Sequence, residues 1–223
     1  MWTDFFKKNY KKIAAIALSV WFAVIAVLCG VISQKERIDL GKKFYFLVSS
    51  STHIQASTHF VEWSGGAGYL LDYQGCEQVV FSVYLQEQDS LQVQAALMEK
   101  DTNVLTISVD SIYLYKRQDK EKKAVIKGAF QTLYNCCEIL EKIIDRYAQG
   151  GTQESGKRLL NVLQDQLCFL SKEYMKKFPQ YADVCQRGAE TISQLLKNTI
   201  YLKDLRYLLC ELSVSYVDLA DMF

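Results

Sequence analysis

The chain has 223 residues, half of them apolar and 23% charged, with a formal net charge of +1. That composition suits one or two globular domains. It lacks the basic excess of a nucleic-acid binder and the acidic bias of a disordered chain, so nucleic acid is not an expected partner.

The first twelve residues, MWTDFFKKNYKK, carry Lys7, Lys8, Lys11 and Lys12 against the single acid Asp4. Ile13–Ile32 follows as twenty residues without a charge. At about 1.5 Å per residue it matches the ~30 Å hydrocarbon thickness of a bilayer, and it reads as a transmembrane helix. A cleaved leader has a shorter apolar core and a small-residue cleavage site, which LCGVISQKER supplies poorly. Leu28 is bulky for a lipidation box at Cys29. The lysines ahead of the span put residues 1–12 in the cytoplasm and the rest of this single-pass protein outside, although Lys35, Arg37, Lys42 and Lys43 weigh against that orientation.

Residues 33–40 read as a polar linker. From 41 to 115 the expected fold is α+β. FYFLVSS is strand-like. STHIQASTHFVEW sets Ala56, Phe60 and Trp63 at helical spacing. YLLDY and EQVVFSVYL are strands joined by a turn at Gln74-Gly75. Leu91, Ala95 and Met98 mark a second helix, and NVLTISVDSIYLY alternates as a last strand. The order βαββαβ is that of a split-βαβ, ferredoxin-like module, with two helices on one sheet face and the other face free.

Residues 118–223 change to helical periodicity. Helices are expected at about 120–148, 153–177, 180–198 and 201–221, with punctuation at GGTQESG and at Pro179. Apolar seams opposite charged faces imply an antiparallel bundle, which could also engage a protein partner. Cys136, Cys137, Cys168, Cys185 and Cys210 lie beside apolar residues at helical positions and are expected as reduced core thiols. With only His53 and His59, and no zinc-like spacing, neither a metal nor a cofactor is expected. Nor is an enzyme: no acid/base pair or nucleophilic constellation is recognisable.

The three glycines of Ser64–Tyr69 (SGGAGY) raise the question of a phosphate loop. Such a loop runs from a strand into a helix N-terminus, so that free amides meet the phosphate. Here a helix precedes the glycines and a strand follows. They are therefore expected to cap a helix and admit close passage of the chain.

With its flanks, GGAGYLLDYQGCEQVVFSVYLQEQDSLQVQAALMEK, this stretch resembles a SPOR domain in the variant common in Firmicutes. The resemblance covers about residues 41 to 112. It implies a peptidoglycan-binding module that takes glycan strands, typically stripped of stem peptides, on the open sheet face. It also implies a setting at the division septum or the spore envelope. Carried onto this chain, the glycan-binding positions are Tyr45, Leu47 and Ser49 on the first strand and Gln78, Val80, Ser82 and Tyr84 on the third. Phe44, Phe46, Val48, Val79, Phe81, Val83 and Leu85 form the expected buried set. The chain departs from the family where Leu47 takes a glutamine slot and Ser49 a glycine slot. Ser90 and Leu91 stand near a usual alanine. Leu47 and Val80 make the face more apolar than a sugar site needs. The alternative is an architectural assembly factor of the cell envelope whose fold no longer binds glycan.

Overall fold

A computed structural model describes residues 20–21, 24, 35–49, 54–97, 102–116 and 119–223. The expected span Ile13–Ile32 lies outside these except for Val20, Trp21 and Val24, which are helical and exposed. Among the described residues no helix is long and apolar enough to cross a membrane.

The protein is α+β; among the described residues it has one four-stranded antiparallel sheet and six helices beyond the apolar segment. The elements are β1 (Lys35–Ser49), α1 (Ile54–Trp63), β2 (Tyr69–Tyr73), β3 (Cys76–Tyr84), α2 (Glu87–Ala96), β4 (Thr102–Tyr115), α3 (Lys120–Ala148), α4 (Gln153–Tyr174), α5 (Pro179–Leu196) and α6 (Leu202–Asp221). The strand order is β2-β3-β1-β4, the arrangement of a split βαβ sheet.

Residues 33–40 are not simply a linker, because β1 is already paired at Lys35. Lys35 faces Tyr115, Arg37 faces Tyr113 and Ile38 faces Ile112, and the ladder shifts register between Asp39 and Lys42 before it continues to Ser49. β3 joins β1 only from Tyr45 to Ser49, so the earlier part of β1 forms a two-stranded ribbon with β4. Charged residues in KERID hid this strand from composition. Its inward side still alternates correctly: Ile38 and Leu40 pack on the core beside fully buried Ile112 and Leu114.

The four long helices start where their caps dictate. Asp119 accepts a hydrogen bond from the Glu121 amide at 3.2 Å, and Thr152 accepts one from Ser155 at 3.3 Å. Pro179 opens α5, where its missing N–H costs nothing. The Asp204 carboxylate accepts from the Tyr201 amide at 3.3 Å at the head of α6. α6 packs on β3 and β4 while α3 packs on α6 and β1; α4 and α5 pair with each other behind them.

Sheet and bundle share one core. Phe44 of β1 meets Tyr216 of α6 at 5.2 Å between ring centroids and Tyr134 of α3 at 5.8 Å. The stack runs on through Phe130, Phe178 and Phe223. Residues 41–115 and 118–223 are thus joined by a continuous hydrophobic cluster.

Candidate functional site

Where β3 lies beside β1, the sheet has no free face. Phe44, Phe46, Val48, Val80, Val83 and Leu85 belong to the cluster that includes the bundle. Leu47, Val79 and Phe81 form a smaller cluster with Val61 of α1, and Tyr84, Val93, Leu97 and Val104 pack against it. One side of this part of the sheet is therefore filled by α1 and α2 and the other by α3 and α6.

The seven positions expected on one open face are corrected accordingly. Leu47 and Val80 have no exposed surface, Ser82 is 1% exposed and Tyr45 9%; Ser49, Gln78 and Tyr84 are half-buried. Nor do they share a side. Leu47 pairs with Ser82 while Val48 pairs with Val80, which leaves Phe81 as the extra residue of a bulge. A bulge reverses the alternation beyond it. Val80 consequently points to the bundle. Ser82 and Tyr84, opposite Leu47 and Tyr45, point to the α1/α2 side. Directly opposed residues lie on the same face of an antiparallel pair. The sequence did carry a signal: FYFLV and VVF are unbroken apolar runs, as strands covered on both faces show.

The glycine stretch has a structural task that ties the halves together. Gly65 adopts φ +82° as α1 ends, and its carbonyl accepts a hydrogen bond from Arg206 Nη1 of α6 at 2.6 Å. The same guanidinium lies 5.3 Å from the centroid of the Phe81 ring. A Cβ on Gly66 would stand 2.5 Å from Val61 Cγ1 and 2.8 Å from Phe81 Cδ2, so backbone passes where a side chain cannot. Beside it Lys203 approaches Glu62 at 3.8 Å. Sequence reasoning identified the turn but not Arg206, which sits 141 positions away from its partner.

A second polar junction lies at the end of β3. Glu141 Oε1 of α3 accepts from the Leu85 amide at 2.8 Å. Burial raises the Glu141 carboxyl to about 7, against the lowering effect of that hydrogen bond, and the neighbouring acids Asp145, Asp89 and Glu138 push it the same way as burial. Burial also raises Tyr84 and Asp145 and lowers Arg206. Glu141, Tyr84 and Arg206 are half-buried where the sheet meets the bundle, and Asp145 is exposed beside them.

What remains open is surface. A groove of about 540 Å³ is lined by His59, Phe60, Glu62, Trp63 and Lys203, with Trp63 86% exposed. Phe60 and Trp63 do not pack inward as their spacing suggested; Ser57 and Val61 do. Among the described residues no three His, Cys, Asp or Glu side chains gather as a metal site would require. Comparison of the chain with family models, with curated proteins and with solved structures finds no match.

Proposed function

We propose that this is a non-enzymatic, membrane-anchored assembly protein of the cell envelope, whose SPOR-like sheet serves as the platform for its own helical bundle and not as a glycan site. The observation that carries this is the burial of Leu47, Val80 and Ser82, at 0, 0 and 1% exposure, on the strands to which the resemblance assigns sugar contacts. A glycan strand cannot reach them unless α6 or the α1/α2 layer leaves the sheet. Outward apolar residues on the bundle favour a protein partner: Val162 and Phe169 of α4 are 65% and 64% exposed and lie seven positions apart, on one helix face. Ile13–Ile32 supplies the anchor, with the folded part outside the cytoplasm. A phosphatase fused after Phe223 is expected to be active, and a cytoplasmic reporter at the same point inactive.

Sedimentation with wall sacculi tests the reading. The full chain in mild detergent should remain in the supernatant with intact sacculi and with sacculi stripped of stem peptides by an amidase. Cosedimentation with stripped sacculi alone would restore the glycan-binding reading and require the layers to open.

A further inference from the structure

The ribbon formed by the first part of β1 and the last part of β4 has one covered side and one bare side. Ile112 and Leu114, each 1% exposed, hold the inner side to the bundle. On the outer side Lys35 stands opposite Tyr115 and Arg37 opposite Tyr113. Tyr113 and Tyr115 are 47% and 51% exposed, and Lys35 Nζ lies 5.5 Å from the Tyr115 ring centroid. Arg37 is paired with Asp39 at 2.8 Å, so this tile carries two cations and one anion. Glu36 points inward to Lys123.

The tile's position along the chain identifies its occupant. Only Ser33 and Gln34 separate the apolar segment ending at Ile32 from Lys35. Three residue steps span at most about 10 Å. The headgroup layer on each side of the hydrocarbon is roughly 5–8 Å thick. If Ile13–Ile32 spans the bilayer, Lys35 leaves it at headgroup depth. Tyrosines and cations are the side chains that settle there, rings toward the acyl boundary and charges toward lipid phosphates.

We propose that the outer face of this ribbon lies on the bilayer and binds anionic lipid headgroups through Lys35 and Arg37, with Tyr113 and Tyr115 seated at the interface. The proposal rests on the anchored reading and fixes the folded part's orientation on the membrane: α6, twenty residues and so about 30 Å long, runs from Tyr201 to a C-terminal end where Phe223 O accepts from Lys35 Nζ at 3.5 Å.

Tyr201, 59% exposed at the opposite end of α6, is a built-in reference. The full chain in nanodiscs should be iodinated briefly and each tyrosine read by peptide mass. The ratio of Tyr115 to Tyr201 modification should fall about fivefold when phosphatidylglycerol is added to phosphatidylcholine discs, the effect of roughly one surface cation. Lys35→Gln with Arg37→Gln should abolish that fall. An unchanged ratio in a chain that resists alkaline extraction from vesicles overturns the surface contact while leaving the anchor intact. A chain that alkali extracts overturns both. Protection of Tyr113 and Tyr115 that grows with protein concentration in the absence of lipid assigns the tile to a second copy and overturns the lipid reading.

Discussion

Arg206 connects a helix, a turn and a strand through one guanidinium, so its removal tests the joint between sheet and bundle. Arg206→Met keeps the stem's packing but leaves the Gly65 carbonyl without its charged donor. The expected loss is about 1.5–3 kcal/mol in urea unfolding, with far-UV spectra unchanged. Gly66→Ala forces a methyl against Val61 and Phe81 and should cost about 1–3 kcal/mol by overpacking. Glu141 sets a pH dependence. Its carboxyl titrates near 7 in the fold against an ordinary 4.5, so the folded chain holds this proton more tightly than the unfolded chain does. The resulting stabilisation is complete below pH 4.5 and is lost as pH rises to 7. Asp145, raised by burial, acts in the same sense. Glu141→Gln keeps an oxygen for the Leu85 amide and no longer ionises. The variant should be the more stable at pH 8 and should show a flatter profile between pH 5 and 8, read as urea midpoints.

At the scale of elements, β1 is the central strand whose two faces feed two clusters. Phe44→Ala removes the ring that touches Tyr134 and Tyr216 and should cost about 3–5 kcal/mol; Leu47→Asp buries an unpaired charge and should prevent folding. Tyr45→Ala should lower the melting temperature, where a solvent-facing tyrosine would leave it unchanged. The order of the elements and the extents of the long helices were legible because they rest on local rules: helical apolar periodicity, Pro179 at a helix start, glycine where the chain turns. Sidedness was not. It depended on the bulge at Phe81, which reverses the phase of β3, and on helices distant in sequence that cover what a lone βαββαβ unit leaves bare. The two short helices misled for a related reason. Buried Ser90 satisfies its hydroxyl on the Glu87 carbonyl at 2.7 Å, which lets a polar residue face the sheet while Leu91 stays 48% exposed. Likewise the ribbon's charges masked a strand whose partner lies far along the chain, Lys35 facing Tyr115. Gln153 shows how such remote ties form: its amide donates to the Ile200 carbonyl at 2.8 Å and its oxygen accepts from the Ile200 amide at 3.2 Å, fixing the α5–α6 connection to the start of α4.

Across the whole molecule, the six cysteines of the described part are unbridged; Cys136, Cys137, Cys185 and Cys210 are buried, Cys168 is intermediate and Cys76 is exposed. Burial raises the Cys136 and Cys185 thiols to about 12, which suppresses thiolate at neutral pH. Alkylation of the folded protein should therefore mark Cys76 at once and Cys168 slowly, and the other four only on unfolding, without a reductant. Their release should coincide with the loss of sheet signal, since sheet and bundle share one core. That shared core also sets when the chain can fold. β1 needs α6 to cover Phe44, and Lys35 meets Phe223 across 188 positions. Contacts this distant in sequence slow folding, because loop closure precedes any reward. Synthesis reaches α6 after all four strands, so the sheet waits with Phe44, Phe46 and Val80 uncovered until residues 202–223 emerge. That interval makes the unfinished sheet a substrate for chaperones.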